Sequence, residues 1–168
     1  MKRIWKWLVT LSLALTMAGC TAQNDSVITK STDEPVSEQT YQKSKTLVED
    51  GYYYDLEDVI LYLDEYNHLP DNYITKKEAQ ALGWEGGPVG EYLEGAAIGG
   101  DRFGNREGLL PEKNGRKYTE ADIDTDGASS RGAKRLVFSN DGLYYYTDDH
   151  YESFTEYIVD ENGEVVPV

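Results

Sequence analysis

The sequence predicts an α+β domain, with N-terminal helices packed on a five-stranded antiparallel sheet. Three observations carry this. Helical periodicity and capping signals are confined to residues 55–83. Short β-rich runs take over from Ala97. Turn dipeptides, Asn114-Gly115, Asp126-Gly127 and Asp141-Gly142, then punctuate the chain. Helices first and strands later place the helices on one face of an antiparallel sheet.

The first helix starts at Asp55, a good N-cap, with Leu56, Val59, Ile60 and Leu63 recurring at helical spacing. It ends before Leu69-Pro70. The second is marked by a capping box, Thr75 with Glu78, and by Gly83 as its stop. Lys76 falls in its first turn, where a cation opposes the helix dipole; this hints at a role other than helix stability. Strands follow over 97–103, 116–123, 133–139, 143–147 and 153–159. Asn162-Gly163 suggests one more hairpin and an extra strand in the extension 159–168.

The N-terminus reads as an address. Lys2, Arg3 and Lys6 precede an apolar stretch too short to span a bilayer, then Ala18, Gly19 and the lone Cys20. Residues 1–19 are expected to be a lipoprotein signal peptide and Cys20 the lipidated residue, anchoring an extracellular domain to the bacterial cell membrane. Residues 20–50 have linker composition, and thirty such residues span roughly 30 Å. The folded domain is expected over 51–158, as a monomer. No larger two-lobed body fits this length, which excludes a transporter's substrate-binding lipoprotein.

The candidate chemistry lies on the strands. Period two puts Glu120 and Asp122 on one face, and Arg131 and Arg135 are four apart. His150 sits in an acidic loop, Asp148-Asp149-His150-Tyr151. Cutting RNA without a metal or cofactor needs a base for the 2′-hydroxyl, an acid for the departing 5′-oxygen and cations for the phosphorane. Glu, His, Lys and two Arg meet that list. A structural ion-pair network uses the same residue types.

Four stretches then resemble the barnase-type, guanyl-specific extracellular ribonucleases: LPDNYITKKEAQALGW over 69–84, IGGDRFGNREG over 98–108, GRKYTEADI over 115–123 and DHYESFT over 149–155. The resemblance covers roughly residues 55–158. It implies the barnase-like microbial ribonuclease fold, with Glu120 as general base and His150 as general acid. It puts Lys76, Arg131 and Arg135 on phosphate-binding positions and Asp122 on a carboxylate that orients the arginines. Asp101 and Tyr151 fall on positions lining the site. Asn105, Arg106 and Glu107 fall in the guanine loop, where backbone amides meet the base and the Glu107 carboxylate accepts from N1–H and N2–H. The implied reaction is cleavage of single-stranded RNA 3′ of guanine through a 2′,3′-cyclic phosphate. The implied partner besides RNA is a barstar-like intracellular inhibitor.

The chain departs from the pattern at Gly104 and Ala133, where the family carries serine, and at Tyr118 and Gly142, where it carries tryptophan. One residue is inserted before Arg131. Charge also speaks against the resemblance: the chain carries −15 at neutral pH, and a nucleic-acid binder is expected to be basic. The competing reading is a catalytically weak or inactive surface lipoprotein that keeps the fold as a binding module. Retention of Lys76, Glu120, Arg131, Arg135 and His150 together argues for the enzyme.

Overall fold

Side-chain alternation along the strands sets the two faces of the sheet. In the computed structural model, residues 46–168 are described. The expected signal peptide, Cys20 and most of the linker lie outside them.

Helix α1 spans Leu56–Tyr66. The Asp55 carboxylate accepts the Asp58 N–H at 3.0 Å, and the helix ends where Asn67 turns left-handed and donates to the Leu63 carbonyl. Its apolar stripe of Val59, Ile60 and Leu63 packs against Ile123, Leu136 and Tyr144 of the sheet. Just upstream, the Glu49 carbonyl accepts the Tyr62 hydroxyl at 2.7 Å. Helix α2 spans Lys76–Ala81 behind a complete Thr75–Glu78 capping box, with Gly83 past its end at φ 93°. A single 3-10 turn follows at Val89–Glu91.

The strands are β1 (Tyr73–Ile74), β2 (Ala97–Phe103), β3 (Tyr118–Asp122), β4 (Arg135–Ser139), β5 (Tyr144–Thr147), β6 (Thr155–Val159) and β7 (Val165–Pro167). They form one sheet in chain order. The expected five antiparallel strands are therefore seven, and β1 pairs parallel to β2. Both additions have a physical reason. β1 is two residues between a Pro70 turn and the α2 cap, too short to show periodicity. β7 is the C-terminal extension, folded back onto β6 by the turn at Asn162-Gly163.

Ala121, Ile123, Leu136 and Tyr144 point to α1. Tyr118, Glu120 and Asp122 point the other way, with Arg135 and Val137 beside them through the register Asp122↔Arg135 and Glu120↔Val137. This opposite face is half covered by an aromatic cluster of Phe103, Tyr118, Tyr145, Tyr151 and Phe154. The polar residues of that face lie beside the cluster.

Candidate active site

Glu120 occupies the middle of β3, and both its oxygens have partners. Lys76 Nζ donates to Oε1, and the Tyr151 hydroxyl donates to Oε2 at 2.7 Å. The Glu120 side chain is 12% exposed and that of Lys76 38%. Lys76 reaches it because α2 is pinned to β2: the Asp101 carboxylate accepts the Lys76 backbone N–H at 2.8 Å, one of the donors a helix start leaves unpaired. Asp101 faces α2 because β2 bulges between Gly99 and Asp101. Glycine is required there twice. A Cβ on Gly99 would lie 2.5 Å from the Tyr73 ring, and Gly100 sits at φ 93°.

Behind Glu120, Asp122 is 2% exposed and gathers both arginines. Arg131 clamps it with two bonds, Nε to Oδ2 at 2.7 Å and Nη2 to Oδ1 at 2.8 Å. Arg135 Nε lies 3.0 Å from Oδ1, off line for a hydrogen bond. Arg135 is itself buried, and its terminal nitrogens donate to the carbonyls of Arg131, Gly132 and Lys134. Arg131 comes from the loop before β4, not from a strand shared with Arg135, and its guanidinium lies 5.5 Å over the Trp84 ring. Its pKa is pushed up, first by the Asp122 hydrogen bond and then by nearby charges that include Glu120.

Tyr151 joins Glu120 to His150. Its ring stacks on Phe103 at 5.3 Å and lies 4.9 Å from the His150 ring. Burial, then its bond to Glu120, holds its hydroxyl protonated well above the usual tyrosine range. His150 is exposed, and both residues take positive φ, 60° and 75°. Such backbone costs about 1–3 kcal/mol per residue outside glycine, so something must hold it. Thr147 and Asp149 do. The Thr147 hydroxyl donates to Asp149 at 2.7 Å and accepts the Tyr151 N–H at 3.0 Å. Asp149 also accepts the Ser153 hydroxyl at 2.6 Å and its N–H at 3.0 Å. Those Ser153 bonds, then Thr147, hold its carboxyl down at about 2.

Asp149→Asn is therefore expected to loosen the His150 loop with the rest of the fold intact. Its signature is pH-dependent. A depressed carboxylate stabilises the fold above its unfolded value of ~3.9, and that stability is lost as pH falls through about 2. Wild type and Asp149→Asn should differ in melting temperature at pH 6 and converge near pH 2. An unchanged gap across that range contradicts the assignment.

The 104–110 loop is stapled by Asn105, whose side chain accepts from Leu110 N–H at 3.0 Å and donates to its carbonyl at 2.9 Å. Asn105 is thus committed to holding the loop's shape, and what it offers a ligand is backbone. Arg106 and Glu107 are exposed. One open cleft of about 660 Å³ runs from this loop to Lys76 and Glu120.

Every singled-out residue except Cys20 is thus described. Lys76, Asp101, Glu120 and Tyr151 form one bonded group, Arg131 and Arg135 are gathered on Asp122 behind it, His150 lies against Tyr151, and the 105–107 loop lies across the cleft. His68, the other histidine, lies apart, edge-on to Tyr62 of α1. Trp84, Thr147 and Asp149 were not read from the sequence as parts of the site. Thr147, two residues before Asp149, with Ser153 four after it, was a signal for the side-chain-braced turn. Among the described residues, no group of three or more His, Cys, Asp or Glu gathers to hold a metal ion, and no helix is long and apolar enough to cross a membrane.

Comparison with known proteins gives the family. A family model described as ribonuclease matches residues 60–158. A ribonuclease of Bacillus intermedius is 53% identical over 96 residues, 56% of this chain and 59% of that protein. One of Heyndrickxia coagulans is 53% identical over 95 residues, 55% of this chain and 86% of that protein. Guanyl-specific ribonuclease St of Saccharopolyspora erythraea is 43% identical over 75 residues, 45% of this chain and 69% of that protein. The matched region thus spans about three fifths of the Bacillus protein's length. A family match over more than half of the sequence, on a mixed α/β fold with this cluster on its open sheet face, shows that the chain belongs to the ribonuclease family.

Proposed function

We propose that the chain is an endoribonuclease that cuts single-stranded RNA 3′ of guanine, by transesterification to a 2′,3′-cyclic phosphate. The observation that carries this is the single cleft linking the 104–107 loop to the Lys76–Glu120 pair. Glu120 takes the 2′-hydroxyl proton, the 2′-oxygen attacks phosphorus, and the P–O5′ bond breaks as His150 supplies a proton to the 5′-oxygen. Water then opens the cyclic ester with the two roles exchanged. Lys76 and Arg131 stabilise the extra charge on the phosphorane. Arg135, buried and bonded to carbonyls, contributes mainly its charge. The Tyr151 hydroxyl holds the Glu120 carboxylate in place.

Guanine is selected at Glu107, whose carboxylate accepts from N1–H and N2–H; adenine offers no such pair of donors. The sequence of residues 1–20 supports export and lipid anchoring through Cys20. RNA is the partner at the site, with a barstar-like inhibitor guarding the cytoplasm.

Cleavage of guanylyl-(3′,5′)-uridine against adenylyl-(3′,5′)-uridine tests the specificity. Hydrogen bonds to a charged group contribute about 1.5–3 kcal/mol. Glu107→Gln should therefore lower kcat/KM on the guanylyl substrate roughly 10- to 100-fold and leave the adenylyl substrate nearly unchanged. Equal wild-type rates on the two substrates contradict the guanine assignment.

A further inference from the structure

We propose that a second pocket, beside the guanine loop, binds a phosphodiester of the RNA strand 5′ of the guanosine; this rests on the ribonuclease reading above. The pocket measures about 450 Å³ and is lined by Arg102, Lys113, Arg116 and Lys117 around Phe103 and Tyr118. It shares Arg102, Phe103, Gly104 and Asn105 with the cleft that holds Lys76 and Glu120. The two spaces are therefore continuous along the loop. The reacting 3′-phosphate belongs at the Glu120 end. A strand leaving the guanosine in the other direction runs into the second pocket.

Charge placement points to a polyanion. Residues 46–168 carry ten Lys and Arg against 27 Asp and Glu. Four of the ten line this pocket, Lys76 and Arg106 line the catalytic cleft, and Arg131 and Arg135 sit behind it on Asp122, leaving only Lys77 and Lys134 elsewhere. A strongly acidic body thus keeps six of its ten described cations around two adjoining pockets. A cationic groove with aromatic side chains is the common form of single-strand binding.

The pocket is also braced. Arg116 is fixed by two bonds to Asp141, Nε to Oδ1 at 2.8 Å and Nη2 to Oδ2 at 2.9 Å, and by Nη1 to the Pro111 carbonyl at 2.9 Å. Arg116, then Ser139, holds the Asp141 carboxyl well below the usual carboxylate range. Lys113 adds a 3.1 Å bond to Asp141. Arg116 is thus the wall, while Lys113 and Lys117 are exposed lysines at the rim. Glu112, which also lines the pocket, and Asp141 offset two of the four charges, so a net positive charge remains for a phosphate.

The test uses the full chain and Lys113→Gln/Lys117→Gln. Three substrates are compared: guanylyl-(3′,5′)-uridine, the same unit extended by three nucleotides on the 5′ side, and the unit extended by three on the 3′ side. The double variant should lose about tenfold in kcat/KM on the 5′-extended substrate only. An uncleavable deoxyoligonucleotide with the 5′ extension supplies a binding readout that needs no catalysis. Its log-affinity should fall less steeply with log salt in the variant, by about 0.7 for each phosphate that the protein no longer neutralises. A loss equal on all three substrates, a loss confined to the 3′-extended one, or an unchanged salt slope overturns the proposal. Failure of the wild type to cleave any RNA overturns the ribonuclease reading, and the binding arm still decides the pocket.

Discussion

Glu120→Ala and His150→Ala are each expected to lower kcat by roughly 10²- to 10⁴-fold, the usual contribution of a positioned acid or base. The two losses should differ in their consequences for the fold. Glu120 accepts from Lys76 and Tyr151, so its loss frees a lysine that is already part exposed. The His150 ring is exposed and packs beside Tyr151, so its loss should barely move the melting temperature. Steady-state kinetics, beside thermal unfolding of each variant, checks both the rate loss and the effect on the fold. A His150→Ala enzyme with wild-type kcat contradicts the acid assignment.

The second large effect is on stability. Asp122→Ala removes the one carboxylate facing two guanidinium groups, and Arg135 is only 2% exposed. Leaving a buried charge without its counter-ion costs about 3–5 kcal/mol, a large share of a small domain's stability. Asp122→Asn keeps the shape and one acceptor, and should cost less. Activity should fall in both, because the bidentate clamp on Arg131 is weakened. Urea unfolding measures the first effect. A loss below about 1 kcal/mol would mean that Arg135 is satisfied by the loop carbonyls alone, which is the ordinary size of a surface pair.

How much of this was readable beforehand depended on the range of each signal. The α2 cap needed only Thr75 and Glu78, and the β4–β5 hairpin only Asn140-Asp141-Gly142; both are local chemistry and both stand in the structure. The β2 bulge was not readable, because it is defined by the pairing of Asp101 with Glu120 nineteen residues away. β1 was missed for the same reason: two residues become a strand only through their parallel partner. At the site, period two put Glu120 and Asp122 on one face from residues alone. The roles of Lys76, Tyr151 and the 105–107 loop came from the family resemblance, and their joining on Glu120 required the folded chain.

Net charge misled in a similar way. A value of −15 treats the surface as uniform, and by that measure RNA should be repelled. The fold instead places six of the ten Lys and Arg of residues 46–168 around two adjoining pockets, where they outnumber the three lining carboxylates, so a phosphate meets cations there despite the acidic body.

The proposed metal-independent transesterification 3′ of guanine by Glu120 and His150 is decided by a chelator-treated digest of one defined RNA, with every new 3′ end mapped by mass. Early fragments should end in guanosine 2′,3′-cyclic phosphate, later converted to 3′-phosphate, and should be at least roughly a hundredfold scarcer from Glu120→Ala or His150→Ala over the same time. Fragments with 5′-phosphate ends, cuts indifferent to base, or no cleavage by the wild type across salt and pH would contradict it.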